Sequence, residues 1–319
     1  MKLIGVGACY MDTVLRVPYY PSEDEKLRAT HIAHRRGGNV PNTLEVLQQL
    51  VHQDEDHGHA LAQLILCSVM PSASSVGSGK IKASLGPNID MSCCLYREQC
   101  VEPASSYVIR SSSTDSRTIV NYNDLPEMTS VEFAAVADSF GREASWYHFE
   151  GRMPDVTLQC MQYLRRAYPT VSISVEVEKP GRPGLQELAA EADVVFYSKS
   201  WALDRGSRDP ATFLLEQAGK AQKASLLFCT WGDQGSTAFD VKKQEIHRQQ
   251  ALPVTAVVDT IGAGDTFIAG VLYGLLWHCD DWDVARKLEF ANELAGRKVC
   301  QEGFQGLGDL IRLPGPLQP

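Results

Sequence analysis

The chain has 319 residues, 44% hydrophobic and 22% charged, so it can bury a large core, in one or two domains, without disulfide or metal staples. Its 30 basic and 39 acidic residues give a net charge of −9, which argues against a nucleic-acid partner, because phosphate backbones call for a basic surface. An odd number of cysteines (nine), no C-x-x-C pair and no uncharged apolar run of bilayer length point to the cytoplasm, with no structural zinc and no membrane partner.

The opening MKLIGVGACYMD is too short and too soon closed by Asp12 to serve as a signal peptide. It reads as a first strand over residues 3–6. Apolar strand segments follow at 64–68, 145–149, 171–177, 194–197 and 226–230. Helical periodicity covers 41–50, 131–139, 156–167, 210–222, 264–277 and 281–300. Strands alternating with helices of this length predict an α/β protein with a mostly parallel sheet. Runs such as LLFC and VVFY suit strands buried on both faces.

Residues 13–36 and 95–123 break the rhythm. They read as β segments without helices between them, with a hairpin at Tyr107-Val-Ile, the turn-rich SSSTDS and Thr118-Ile-Val-Asn-Tyr. The expectation is a small antiparallel sheet set apart from the main one. The polar stretch HQDEDHGH (52–59) reads as a solvated loop, with a metal site as the open alternative. The Pro- and Gly-rich residues 308–319 read as a flexible tail.

Two phosphate-loop patterns fail. Gly5-Val-Gly-Ala-Cys-Tyr lacks the third glycine of a dinucleotide fingerprint, and Gly77-Ser-Gly-Lys lacks the first glycine and final hydroxyl of a P-loop. The strongest signal is Val258-Asp-Thr-Ile-Gly-Ala-Gly-Asp-Thr-Phe. An apolar run, 254–258, meets an amphipathic helix here, and Gly262 and Gly264 free the backbone for close approach to a ligand. The first amides of the helix, on Ala263, Gly264 and Asp265, suit an anion. A carboxylate in that turn makes sense if Asp265 takes a proton from a hydroxyl nucleophile while the amides hold the transferring phosphoryl group.

Arg35-Arg-Gly-Gly-Asn-Val-Pro-Asn sets Asn39 as an N-cap, with Pro41 early in the helix and Asn42 on the same side of its start. Neutral amides suit a polyol, because they both donate and accept. On residues alone Asp12 is a turn residue, Arg117 an exposed hairpin arginine and Asn292 a helix-surface amide. Gly232, Asp233, Gln234 and Gly235 form a turn after the 226–230 strand, at the edge of the sheet where α/β proteins bind ligands.

The 259–267 motif resembles the signature D-[ST]-x-G-A-G-D-x-F of the pfkB, or ribokinase-like, carbohydrate kinase family. The resemblance runs in order from about residue 4 to residue 306. Ser174-Val-Glu-Val-Glu-Lys-Pro, His148-Phe-Glu-Gly-Arg and Ser116-Arg-Thr-Ile-Val are similar to the ketohexokinase-like members. It implies a three-layer αβα domain over residues 1–12, 37–94 and 124–307, with a β-sheet lid over 13–36 and 95–123. It also implies ATP with Mg2+, and transfer of the γ-phosphoryl group to a ketose hydroxyl, fructose giving fructose 1-phosphate.

By the same resemblance Asp265 is the base and Gly262, Ala263 and Gly264 form the anion hole. Asp12, Gly38, Asn39 and Asn42 hold the sugar. Arg117 reaches the nucleotide phosphates from the lid, and residues 232–235 and Asn292 line the nucleotide site. Lid strands pair between subunits in many members, so a homodimer is expected. Where the family carries Asn-x-x-Glu this chain reads Ser198-Lys-Ser-Trp, which leaves the metal ligands unassigned. Residues 71–80 lack the family's glycine-aspartate turn, and 51–60 are longer than its usual connection. The open alternatives are a ribose, nucleoside or sugar-acid kinase of the family, and a catalytically dead binding protein.

Overall fold

The computed structural model describes residues 1–55, 63–114 and 116–310. The chain begins with strands β1 (Lys2–Val6), β2 (Tyr10–Val17) and β3 (His31–Gly37), then helix α1 (Asn39–Glu55), β4 (Gln63–Cys67), β5 (Val69–Pro71) and α2 (Val76–Leu85). It continues with β6 (Ile89–Asp90), β7 (Leu95–Arg97), β8 (Ser105–Ser111), β9 (Arg117–Tyr122), α3 (Ser130–Phe140), β10 (Trp146–Phe149) and α4 (Pro154–Ala167). Then come β11 (Ser172–Val177), α5 (Leu185–Glu191), β12 (Val194–Ser198), α6 (Lys199–Asp204), α7 (Pro210–Ala218) and β13 (Leu226–Thr230). The last elements are β14 (Ser236–Asp240), β15 (Glu245–Gln249), α8 (Ala263–Leu276) and α9 (Val284–Lys298).

Among the described residues the main sheet has nine strands in the order β15-β14-β13-β12-β11-β10-β1-β4-β6. It is parallel from β13 to β6, and β14 and β15 add an antiparallel hairpin at one edge. Alternate side chains enter opposite layers. Leu3, Leu64, Phe196 and Phe228 face a core shared with α1, α8 and α9, and Ile4, Ile65, Tyr147, Val175 and Leu227 face one shared with α3, α4, α5 and α7. The expected α/β class with helices on both sides is therefore borne out. Its neighbours make β1 the turning point: the chain runs outward from it through β4 and β6, then returns to β10 on its other side. Ligands of open α/β sheets bind outside the carboxyl ends of the strands at such a switch.

A second sheet, β3-β2-β8-β9, stands apart. Its register gives it two faces. Asp12, Arg35, Ser106, Val108, Arg117, Ile119 and Asn121 fall on one, and Leu15, Ile32, Tyr107, Ile109 and Val120 on the other.

Several expectations change. The small sheet is mixed, because its central pair β2·β8 is parallel. Asp12 is not a turn residue but lies inside β2 of the small sheet, beyond the first strand, which stops at Val6. Residues 95–97 pair with β5 in a separate two-stranded ribbon, so the small sheet takes from this stretch only β8 and β9. Helix α8 is buried on nearly every face, so it is not amphipathic.

The hairpin β14·β15 and the short helices α5 and α6 carry weak local patterns and have no counterpart in the predicted elements. Helix α2 forms without the missing glycine turn because Ser75 caps it, accepting from the Ser78 N–H at 3.0 Å. The 52–59 loop is helical as far as Glu55, and the rest of that stretch lies outside the described residues. The tail is anchored at its start: Gly308–Leu310 make a short 3-10 turn, and the Gly308 amide reaches Gln49 Oε1 at 3.4 Å. Residues 311–319 lie outside the described residues.

Candidate active site

A cavity of about 710 Å³ opens between the two sheets, over the carboxyl ends of β10 and β11. Gly38 lets the chain pass close beneath it. Its φ is +109°, and a Cβ there would sit 2.0 Å from the Ala8 carbonyl oxygen, so only glycine fits. The Gly38 carbonyl accepts the first helical bond of α1, from Asn42 at 3.0 Å. Asn39 is therefore already inside the helix and does not cap it. Its side chain crosses to β11, where Nδ2 donates to Glu176 Oε2 at 2.6 Å.

Asn42 lies one turn on and is buried. Its Nδ2 donates to Asp265 Oδ2 at 2.7 Å, and its Oδ1 accepts from Arg36 at 2.8 Å. Arg36 is also paired with Glu45. The Thr43 hydroxyl donates to the Asp265 carbonyl at 3.2 Å, which ties the starts of α1 and α8 together.

The turn into α8 is built by Gly262, with φ +79° and the Phe304 ring 2.3 Å from where a Cβ would stand. The Ala263 amide is spent on the Thr260 carbonyl at 3.3 Å, and Ala263 does not line the cavity. Gly262, Gly264 and Asp265 do. Nothing lies within 4 Å of a Cβ built on Gly264, so a side chain there would project into open space at the mouth of the helix. Behind the turn, buried Lys298 Nζ donates to Asp259 Oδ2 at 3.0 Å and to the Asp259 carbonyl at 3.1 Å. Arg35 on β3 reaches the same Asp259 carboxylate at 3.3 Å and lies 3.9 Å from Asp12. The small sheet is thus tied to the turn before α8.

Burial is the main cause that pushes the Asp265 carboxyl up, to about 7; Glu178 and Glu150 raise it further, and Asn42 and Arg36 pull it down. Burial likewise raises Asp12, Glu150 and Glu176. Asp265 is therefore not the lone carboxylate here. Among the described residues six cationic side chains line the same cavity: Arg35, Arg36, Arg117, Arg152, Lys179 and Arg182. Arg152 is held by both oxygens of Glu127, each at 2.6 Å, and by Tyr10. Arg117 opens β9, a strand exposed along its whole length.

Of the sequence-predicted site residues, the structure brings Asp12, Gly38, Asn39, Asn42, Arg117, Gly262, Gly264 and Asp265 to this cavity. Residues 232–235 are not among its lining. They form a tight turn at the carboxyl end of β13, and a Cβ on Gly235 would stand 2.0 Å from the Gln249 carbonyl oxygen. Gln234 lines a separate cleft with Trp231, Ser236 and Arg248. Asn292 is buried rather than a helix-surface amide, and its Nδ2 donates to Ser236 Oγ at 2.5 Å and to the Leu288 carbonyl at 2.8 Å. The motif reading assigned no role to Glu45, Glu150, Arg152, Glu176, Lys179 or Arg182. Acidic residues ending two successive apolar strand segments, at 150 and at 176–178, were the signal available.

No group of three or more His, Cys, Asp or Glu side chains among the described residues is arranged for a metal. At the position of the family's Asn-x-x-Glu, Ser198 caps α6 instead, accepting from the Trp201 N–H at 3.2 Å. These residues make no cation shell.

The fold is that of the ribokinase-like kinases. Giardia lamblia ribokinase superposes with a TM-score of 0.76 at 17% identity, covering 96% of this chain and 95% of that one. Arabidopsis thaliana ribokinase, solved with ribose and ATP, superposes at 0.72 with 19% identity, over 94% and 93% of the two chains. Residues 2–308 match the pfkB family of carbohydrate kinases, and the chain belongs to that family. Mouse ketohexokinase is 29% identical over 318 residues, 96% of this chain and 98% of that one. Shigella flexneri fructoselysine 6-kinase is 38% identical over 97 residues, about a third of each chain (30% and 34%). The protein is a sugar kinase of a family that uses ATP, usually with Mg2+. No helix among the described residues is long and apolar enough to cross a membrane.

Proposed function

We propose that this kinase phosphorylates fructose at O1, with Asp265 as general base. One observation carries the reading: a buried carboxylate with its proton affinity raised to about 7 stands at the start of α8, beside the open backbone of Gly264. The sugar lies over α1 against Asp12, Asn39 and Asn42. Asp265 takes the proton of the attacking hydroxyl, and its raised proton affinity matches that task near neutral pH. The amides that open α8 and the Arg117 guanidinium face the charge that spreads over the transferring phosphoryl oxygens. The nucleotide extends from there along the carboxyl edge of the sheet toward the 232–235 turn. No acidic, His or Cys group among the described residues is arranged for a cation, so Mg2+ would be held by the ATP phosphates and water.

The small sheet serves as a lid that excludes water from the transfer. Its outer face carries Ile32, Tyr107 and Val120, each about half exposed (54%, 50% and 57%). A second copy of the chain covers that face in a homodimer, because an apolar sheet face and the open edge of β9 both need burial. The nine unpaired thiols fit a cytoplasmic enzyme. The likeness to ketohexokinase along the whole chain favours a ketose over ribose or a nucleoside.

The test is a panel of sugars with ATP and Mg2+, read by ADP release, with 31P and 13C NMR placing the phosphate. Fructose 1-phosphate is the expected product. A 6-phosphate, or turnover only with ribose or a sugar acid, overturns the substrate and keeps the family.

A further inference from the structure

A chain of hydrogen bonds runs under the cavity that the scheme above leaves without a task. Trp146 and His148 share one face of β10, and Ser174 and Glu176 share the same face of β11, with His148 opposite Ser174 in the register. Trp146 Nε1 donates to Ser174 Oγ at 2.8 Å. Ser174 Oγ lies 2.9 Å from His148 Nδ1, and His148 Nε2 lies 3.2 Å from Glu176 Oε1. Glu176 Oε2 accepts from Asn39 at 2.6 Å. His148, Ser174 and Glu176 are 1%, 0% and 2% exposed. Asn39 alone of the five lines the cavity.

The donors set the direction of the two outer links. An indole N–H can only donate, so Ser174 receives it and has its own O–H to give to His148 Nδ1. The imidazole bridges Ser174 and Glu176 with one nitrogen to each. Glu176 bonds His148 through one oxygen and accepts the Asn39 amide with the other. Burial holds the imidazole neutral, pushing its pKa down to about 3. The Asn39 amide is oriented as a result. Its nitrogen is committed to Glu176, and Oδ1 is left to accept from a ligand hydroxyl.

We propose that His148 is a positioning residue for the sugar: through Glu176 it fixes the amide of Asn39 so that the pocket offers a hydroxyl acceptor there. The proposal rests on the reading of Asn39 as a sugar contact. A histidine that merely filled the core would affect stability and leave substrate recognition alone.

The experiment is a double-mutant cycle on His148 and Asn39, read as KM for fructose and KM for ATP beside thermal midpoints. His148→Leu is expected to raise the fructose KM by about 3- to 10-fold, the span of one neutral hydrogen bond, with the ATP KM within about twofold. His148→Gln, whose amide can bond Glu176 from near the Nε2 position, is expected to restore most of that loss. In the Asn39→Ala background His148→Leu is expected to add nothing further to the fructose KM. Additive effects, or an unchanged fructose KM in folded His148→Leu, overturn the proposal. Should His148→Leu not fold, Ser174→Ala takes its place in the cycle, with an expected rise of about 2- to 3-fold and the same non-additivity. If Asn39→Ala leaves the fructose KM unchanged, the sugar-pocket reading itself fails. If Asn39→Ala raises it and His148→Leu does not, only the relay fails.

Discussion

Asn42 and Asp265 are 223 positions apart and joined by a 2.7 Å hydrogen bond, in which the amide donates to the carboxylate. Asn42 is thereby more than a sugar contact. Its bond favours the ionised form of Asp265, while burial and the Glu178 and Glu150 charges oppose it.

Asn42→Ala should therefore act twice. The fructose KM should rise, and the acid limb of the pH–rate profile should move to higher pH, with kcat at pH 7 falling about 3- to 30-fold as more Asp265 is protonated. The profile of kcat/KM over pH 5–9 is the measurement. A KM effect with an unmoved acid limb would show that the Asn42 bond does not tune the base.

The wild-type profile itself has a predicted shape. A general base works only when deprotonated, and Asp265 is pushed up to about 7. kcat/KM for fructose should fall about tenfold per pH unit below that value and level off above it. An acid limb near pH 4, where an ordinary carboxylate titrates, would contradict the buried site.

Asp265→Asn keeps the shape of the side chain and removes the base. kcat should drop by about 10²–10⁴ in a folded protein. Stability should separate the two proteins with a definite sign. A raised carboxyl favours folding while the pH is below the unfolded value and loses that advantage as the pH rises through the folded one. The variant should therefore gain on wild type between about pH 4 and pH 7, in denaturant melts run at several pH values. Near wild-type turnover would make Asp265 structural only.

Arg117→Ala should leave the thermal midpoint within a degree or two, because Arg117 begins a fully exposed strand. Its KM for ATP should rise, or its kcat fall, by about 10-fold, since a charge-assisted bond to phosphate is lost. Unchanged kinetics would mean that the small sheet does not deliver this arginine to the nucleotide.

Lys298→Met should be costly in a different way. Its ammonium is wholly buried against Asp259, so the substitution leaves that carboxylate with Arg35 as its remaining cationic partner. Breaking a buried pair in this manner costs about 3–5 kcal/mol. Chemical denaturation should show that loss, and the turn into α8 should loosen with it. A variant as stable as wild type would show that Arg35 alone satisfies Asp259.

Local pattern was enough to determine the alternation of strands and helices and the turn Gly262–Asp265, because periodicity, glycine freedom and helix opening are properties of neighbouring residues. Likeness to a known signature then led from that turn to a sugar kinase. What the sequence did not carry is the pairing of residues far apart. Asp12 could not be assigned to the small sheet until β2 was seen to pair with β3 and β8. The hairpin β14·β15 takes its place from the neighbouring β13 and is hard to see alone. Asn39 reads as a cap from its neighbours, yet Gly38 takes the capping position and frees the amide for Glu176, 137 residues on. The proton affinities of Asp265, Glu150 and Glu176 follow the same rule. They depend on burial and on charges from other strands, and only the order of β1, β10 and β11 in the sheet brings those charges together.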